Sequence, residues 1–346
     1  TLPDYLEALM HPFRLFAMQR NQIFHAGMNI TPIIRQETYY TCCNSNCLEA
    51  ILFYRFAYRL AKSEVKIRLV IEWYENQVID KGSILGFHHY FSKVPVIGYQ
   101  GYIISRVLHH YIYPTDLEKR TGVVPDKIAV IGKNLISDVL EFCNTAEVIT
   151  APAFRNQNVW AKRTHFPANE EYTVLVALPL DRREIVSILQ RLIKARNLAA
   201  QPKTKYWIKP HPTYSVQDIK SMIQDSFEGF TFVTGDFKEI LEQSNLLIGN
   251  ASITSVEAIA LGIPVVIIGD KNGVIQNPIP KSVPESIWRT CFTAKDISDG
   301  IMHYMYTTEN DNREFREIGE LVKQNYFEEN TIEKSRKFLL LDRTNE

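Results

Sequence analysis

Apolar positions in the first 65 residues recur at helical spacing. Tyr5, Leu6, Leu9, Met10 and Phe13 do so, and so do Ile51, Leu52, Tyr54, Phe56 and Leu60 beyond a polar connection. From Lys66 onward the pattern changes to short unbroken apolar runs, over 67–71, 94–99, 127–132 and 146–149, separated by helical stretches. Runs rich in β-branched residues that do not alternate with polar ones predict strands buried on both faces, hence a parallel sheet wrapped by helices. Residues 164–171 turn polar around one proline, and the rhythm then restarts. Strands are predicted over 172–180, 205–209, 230–233, 246–249 and 264–268. Helices are predicted over 182–200, 216–226, 237–243, 255–260 and 298–306. The expected fold class is therefore α/β, with two doubly wound Rossmann-like halves, residues 1–165 with a helical N-terminus and residues 166–326, facing a cleft. Ligands in such sheets sit beyond the carboxyl ends of the strands.

A chain of 346 residues with 45% hydrophobic and 23% charged side chains is long enough for two cores, and its composition excludes collagen-like, disordered and disulfide-stapled classes. The 39 Lys and Arg balance the 39 Asp and Glu. Nothing global therefore draws the chain to nucleic acid or to an anionic bilayer, and any anion must be bound by a local site. Five cysteines, three of them at Cys42, Cys43 and Cys47, fit reduced thiols in a cytosol-like compartment. The Cys42-Cys43-x-x-x-Cys47 spacing is not a standard zinc pattern and has no nearby His. No apolar run reaches the roughly 18 to 20 residues of a membrane span, and the start lacks the charged-then-apolar pattern of a signal peptide. Thr1 in place of an initiating Met leaves processing or truncation open. The aromatic and basic stretch 53–62 reads either as a core helix with solvated arginines, the favoured reading, or as a helix resting on a membrane surface.

The sharpest chemical signal is Trp207-Ile-Lys-Pro-His-Pro212, where a buried strand ends in Lys209 and His211 with two prolines fixing the exit. That turn holds a cation and an imidazole at the cleft rim, ready to donate to a phosphate or a carboxylate. It also reads as a Pro-stiffened surface turn. The second signal runs from Gly249 to Pro264, a strand end, the turn Asn250-Ala-Ser252-Ile-Thr254-Ser255, a helix carrying Glu257, and Gly262 before the next strand. The free N–H groups at the start of that helix, with the Ser252, Thr254 and Ser255 hydroxyls, make a phosphate site that needs no net positive charge. An ordinary N-cap accounts for one of those hydroxyls and poorly for three.

In the first half, Glu72 and Glu75 emerge where a strand ends, as a general base or a ligand for an acceptor hydroxyl should. Glu75 reads equally well as an exposed carboxylate at a helix start. His88 and His89 follow in Gly86-Phe-His-His89, and Gln100 in Gly98-Tyr-Gln-Gly101. Asp181 follows the strand expected over 172–180 and so faces the same cleft, but Asp181-Arg-Arg-Glu184 is also a capping box.

Taken together, the Lys-Pro-His-Pro strand end and the Ser-x-Thr-Ser helix start resemble the donor-binding half of glycosyltransferases of the GT-B architecture, from about Tyr172 to Gly269. Within it they look most like bacterial enzymes with cytidine-activated donors: capsule and O-antigen Kdo transferases, sialyl- and polysialyltransferases, and teichoic-acid glycerophosphotransferases. The resemblance implies that Lys209 and His211 contact the nucleotide or the sugar carboxylate. It implies that Ser252, Thr254 and Ser255, beside Asn250, take the phosphate and that Glu257 reaches a ribose hydroxyl. Similar Tyr-Glu and Gly-Tyr-Gln elements lie on the acceptor side in surface-polysaccharide transferases, which implies catalytic carboxylates at Glu72 and Glu75 and acceptor contacts at His88 and Gln100. The Kdo transferases that retain configuration use a carboxylate from this part of the second domain as nucleophile, a role implied for Asp181. The last stretch, 327–346, is expected to carry a helix that packs back across the domains.

Asp-x-Asp, Gly-x-x-x-x-Gly-Lys-Ser/Thr and Gly-x-Gly-x-x-Gly are all missing from the sequence. The expectation is a metal-independent enzyme without a cofactor, neither a kinase nor a nicotinamide enzyme. The implied activity is a cytoplasmic glycosyltransferase of bacterial surface-polysaccharide synthesis, for capsule or lipopolysaccharide O-antigen. It would move an anionic sugar, Kdo foremost, from CMP to a glycan or lipid-linked acceptor, at the inner face of the cytoplasmic membrane or within a larger biosynthetic assembly. The alternatives are sialyl transfer, a CDP-glycerol or UDP-sugar reaction including 2-epimerisation, and a catalytically silent nucleotide-sugar-binding domain. Nucleic acid is not an expected partner.

Overall fold

The computed structural model describes residues 1–18, 22–160, 171–198, 204–223, 226–250, 252–270 and 275–341. The polar stretch expected to divide the halves, 164–171, falls almost wholly outside the described residues.

The chain opens with α1 (Leu2–Leu9), α2 (His11–Met18), a hairpin of β1 (Phe24–His25) and β2 (Met28–Asn29), then α3 (Thr31–Thr41) and α4 (Ser45–Lys62). In α1 the apolar stripe faces out, with Leu2 72%, Tyr5 58%, Leu6 55% and Leu9 60% exposed. The buried positions are Asp4 and Ala8. The reason is electrostatic: Asp4 meets Arg55 at 3.0 Å and Arg59 at 3.4 Å on α4, which turns that face of α1 inward. On α4 itself, Phe53 and Phe56 are exposed, whereas Tyr54 and Tyr58 stack on Tyr90. The core reading of this helix therefore holds for part of its aromatic face.

The first sheet follows, with β3 (Val70–Trp73), β4 (Val96–Gln100), β5 (Lys127–Val130) and β6 (Val148–Thr150), all parallel and in chain order. Strand β3 starts later than the apolar run suggests because its pairing begins only where Val70 N–H reaches Pro95 O. The crossovers hold α5 (Val78–Tyr90), α6 (His109–Ile112), α7 (Asp116–Arg120) and α8 (Ile136–Leu140). Right-handed connections between strands in sequential order place such helices on one face. Helices α4 and α5 approach so closely that a Cβ on Gly82 would lie 2.1 Å from the Ala50 carbonyl oxygen.

The second half contributes β7 (Tyr172–Ala177), α9 (Arg182–Leu198), β8 (Thr204–Lys209), α10 (Val216–Met222), β9 (Phe230–Phe232), α11 (Phe237–Glu242), β10 (Leu246–Gly249), α12 (Thr254–Ala260) and β11 (Val265–Ile268). It ends with β12 (Trp288–Cys291), α13 (Ala294–Met305), α14 (Glu309–Tyr326) and α15 (Ile332–Phe338). Its six parallel strands run in the order β12-β11-β10-β7-β8-β9, so the chain reverses direction between β7 and β10. Strand β7 stops before the expected Leu180. Leu178 N–H still reaches Lys209 O, but β8 is followed there by Pro210, which has no N–H to extend the ladder. Strand β12 and helix α14 are not among the elements expected from the sequence.

Strands β7, β10 and β11 are buried along nearly their whole length, as unbroken apolar runs require. The halves are spliced at the end of the chain. Glu328 donates to Ile131 O and accepts from Ala153 N–H, and Phe338 of α15 lies 5.9 Å from the rings of both Tyr99 and Phe154. Among the described residues no helix is long and apolar enough to cross a membrane.

Candidate functional site

The reversal between β7 and β10 opens a crevice at the carboxyl ends of the second sheet, where doubly wound sheets bind ligands. Three of the segments singled out in the sequence meet there. The Tyr214 hydroxyl, just beyond Lys-Pro-His-Pro, donates to Leu180 O at 3.0 Å and ties the β8 exit to the β7 exit. Asn250 hydrogen-bonds Glu184 and so ties the β10 exit to the first turn of α9.

At the β8 exit, Lys209 makes no ion pair among the described residues. Thr213 N–H donates to His211 Nδ1 at 3.3 Å, with the Thr213 hydroxyl 2.9 Å from the same nitrogen. An Nδ1 that accepts a backbone N–H keeps its lone pair, so the neutral ring carries its proton on Nε2 and presents a donor. Asp181 is exposed and caps α9, its Oδ1 accepting from the N–H groups of Arg183 at 2.8 Å and Glu184 at 3.0 Å. Both bonds use Oδ1, so the capping reading of Asp181 is realised and Oδ2 remains available.

The β10 exit is unusual in its hydroxyls. Ser252 Oγ accepts from Thr254 N–H at 3.3 Å, and Ser255 N–H reaches Ser252 O at 3.0 Å. Thr254 Oγ1 and Ser255 Oγ are buried with no hydrogen-bond partner among the described residues, and Ser255 is 0% exposed. Neither hydroxyl caps the helix it begins.

In the first turn of α12, Glu257 is turned away from this exit. Asn156, on the 3-10 turn Phe154–Trp160 that follows β6, donates its Nδ2 to Glu257 Oε1. Burial raises the Glu257 carboxyl, opposed by that bond and by the charge of Arg155. The Arg155 guanidinium also lies 5.3 Å from the Trp73 ring, and Trp73 Nε1 donates to Glu75 Oε1 at 2.7 Å. A chain of contacts thus links Glu75, at the end of β3, to Glu257 across the junction between the halves. Arg155 and Asn156 stand in no recognisable motif, and only long-range contact reveals them.

The other first-half residues separate. Glu72 points to the face covered by α5, beside Ser83; burial pushes its carboxyl up to about 8, and its Oε1 has no partner among the described residues. Gln100, at the end of β4, is buried with its Nε2 likewise unpartnered. His88 lies at the opposite end of the sheet from Glu75 and Gln100. Its Nδ1 is 2.9 Å from Gly122 O and its Nε2 3.4 Å from Asp126, which receives Val96 N–H where β4 starts. His89 stacks against Tyr54 and Tyr90 on the helical layer.

A cavity of about 240 Å³ opens between α9 and the ends of β10 and β11, lined by Arg183, Glu184, Arg191, Asn250, Asp270 and Gln276 among others. Arg191 donates to Gly269 O at 2.6 Å and Phe292 O at 2.9 Å, so it fixes the loops after β11 and β12.

With this geometry established, the similarities to known proteins fall into place. Residues 126–286 match the family described as "Putative glycosyltransferase (DUF6716)". Among curated proteins none matches the sequence. Solved structures are similar over most of the chain. MnaA of S. aureus in its co-structure with UDP is 12% identical with TM-score 0.57, over 88% of this chain and 84% of that one. HepE of Anabaena in complex with UDP and glucose is 10% identical with TM-score 0.53, over 83% and 80%. The UDP-GlcNAc 2-epimerase of Neisseria meningitidis bound to UDP-GlcNAc is 12% identical with TM-score 0.51, over 91% and 95%. The chain has the GT-B fold. Between its two GT-B halves lies a larger cavity, about 780 Å³. The first half lines it with residues that follow β4 and β5, among them Val107, His109 and Asp138, and the second with residues 275–288.

Proposed function

We propose that the protein is a glycosyltransferase that holds a nucleotide-activated sugar in the crevice between β7 and β10 and an acceptor against its first half. The observation that carries this reading is the pair of buried, unpartnered hydroxyls of Thr254 and Ser255 at the β10 exit. Leaving two such groups unmet costs about 1–3 kcal/mol each, and a phosphate oxygen is a partner that both can serve. Lys209 and the Nε2–H of His211, on the neighbouring strand exit, supply a charge and a further donor. Asp181 supplies a carboxylate at the same crevice, as a nucleophile toward the anomeric carbon requires, and Glu75 a second on the acceptor side.

The pairing of Lys-Pro-His-Pro with Ser-x-Thr-Ser supports a CMP-activated anionic sugar, Kdo foremost, in surface-polysaccharide synthesis. The UDP-bound structures of the same fold support a UDP-sugar as the second reading. Calorimetric titration of CMP, CDP, UDP and GDP, with and without EDTA, tests both. Selective CMP binding is expected; selectivity for UDP or CDP transfers the reading to those donors, and a protein that binds none is not a nucleotide-sugar enzyme. Asp181→Asn, in a variant that still binds nucleotide, is expected to abolish turnover.

A further inference from the structure

Helices α1 and α2 carry one apolar stripe along their joint length. Met10, between them, is still helical: its N–H donates to Leu6 O at 3.1 Å, and its carbonyl accepts from Arg14 N–H at 3.3 Å. Pro12, which has no N–H to offer Ala8 O, interrupts the ladder without ending it. Leu2, Leu9 and Phe16 therefore recur every seven residues, with Tyr5, Leu6 and Phe13 between them, the spacing of a seam that packs against another helix. In this chain the seam meets solvent. Phe13 is 68% and Phe16 46% exposed, continuing the outward stripe of α1, and none of residues 11–17 is buried. At roughly 100 Å² of exposed surface apiece, the six side chains present about 600 Å². That is the upper end of what a monomer leaves apolar in one patch, and it is the area that one partner gives to the smaller specific interfaces.

The stripe is held outward by the opposite face of α1. Asp4, 2% exposed, is pinned to Arg55 and Arg59 of α4, and rolling the stripe inward would leave that buried charge unpaired. Charge also decides what can cover it. Arg14 is the one Lys or Arg of residues 1–18, and it is already paired with Glu7 at 2.6 Å. A helix that lies on an anionic bilayer needs several Lys and Arg beside its apolar side, and this one has none to spare. A second copy of the chain supplies an apolar seam of the same spacing, and its charges fall in complementary places. We propose that two copies of this chain pair through α1 and α2, antiparallel about a two-fold axis beside Met10. Glu7 and Arg14 stand three and four residues to either side of Met10. The axis therefore brings Glu7 beside the partner's Arg14 and sets Leu6 and Leu9 against the partner's Phe16 and the partner's Phe13. An isologous contact puts a patch against itself, so it suits one whose charges cancel and whose surface is apolar. The pairing is independent of the glycosyl-transfer reading.

Sedimentation velocity of the whole chain between about 1 μM and about 100 μM tests this. The wild type is expected to shift to twice the mass of one chain over that range. Leu9→Glu, at a position that is 60% exposed and so spares the core, is expected to raise the dissociation constant about tenfold or more. Glu7→Arg and Arg14→Glu each set like charges opposite one another across the axis, and each alone is expected to stay monomeric. An equimolar mixture of these two variants is expected to restore the pair, since each then carries the charge that the other lacks. Mixing cannot mend the Glu7–Arg14 bond within either chain, so the rescue separates pairing from helix stability. A wild type that is monomeric at the highest concentration, a Leu9→Glu chain that pairs as tightly as the wild type, or a mixture that stays monomeric would each overturn the proposal. So would a monomeric wild type that co-sediments with phosphatidylglycerol vesicles and is released by Leu9→Glu, which would give the stripe to a bilayer instead.

Discussion

Removing the Ser255 hydroxyl is expected to push folding and ligand binding in opposite directions. Ser255 is 0% exposed, its Oγ has no partner among the described residues, and a Cβ on Gly249 would sit 3.4 Å from that oxygen. In the unliganded protein the hydroxyl is stripped of water without compensation, a cost of about 1–3 kcal/mol. Alanine removes that cost and leaves a void of a single oxygen, which takes back roughly 0.5–1 kcal/mol. Ser255→Ala is thus expected to be more stable than the wild type by about 0.5–2 kcal/mol in the absence of nucleotide. A hydrogen bond to a charged phosphate contributes about 1.5–3 kcal/mol, so the same change is expected to weaken nucleotide binding by roughly 10- to 150-fold. Denaturant titration without ligand and calorimetry with nucleotide measure the two effects on one sample. A variant that loses stability, or one that binds nucleotide as tightly as the wild type, would refute the assignment of this hydroxyl to a phosphate.

Two further predictions concern the first half. Glu72 ionises near its ordinary 4.5 when unfolded and near about 8 when folded, so its carboxyl stabilises the fold fully below pH 4.5 and progressively less as the pH rises through 8. Glu72→Gln is expected to remove that slope, gaining about 2–4 kcal/mol on the wild type between pH 5 and pH 9 in urea denaturation followed by the neighbouring Trp73; identical pH profiles would return Glu72 to an ordinary solvated carboxylate. In Gly82→Ala the new Cβ would meet the Ala50 carbonyl oxygen at 2.1 Å, backbone that cannot step aside, so α4 and α5 must separate at a cost of about 2–4 kcal/mol. A loss below 1 kcal/mol in the same assay would show that the helices do not pack as described.

The second sheet was legible in the sequence because each of its central strands is an unbroken apolar run that tolerates no other placement. The same reading overlooked β12, Trp288-Arg-Thr-Cys291, an edge strand whose mixed residues are mostly half-buried and therefore leave no periodic trace. It also overlooked α14, although Phe315, Ile318, Gly319, Val322 and Tyr326 are spaced as a buried helical stripe. In α1 the helical periodicity was legible but not the face it buries, which is set by Asp4 and its pairing with Arg55 and Arg59 about 50 residues on. The site divides in the same way. Lys209, His211, Thr254 and Ser255 stand next to strand ends, where local pattern singles them out as candidates. Arg155 and Asn156 gain their meaning from residues distant in the sequence, as the Asn156–Glu257 bond illustrates with its separation of 101 residues.

That bond bears on how the two halves communicate. Thr254, Ser255 and Glu257 occupy the first turn of a single seven-residue helix, α12. Two of them carry buried, unpartnered hydroxyls, and the third is bonded to the connection that leads out of the first sheet. A ligand that engages the hydroxyls draws on a helix whose carboxylate is already committed across the junction, next to Arg155 and, through Trp73, Glu75. A short helix shared in this way is too stiff for one end to shift while the other stays fixed. On the proposed reading, occupation of the crevice is therefore expected to be felt at Glu75 through the backbone of α12 and the contacts of Asn156 and Arg155.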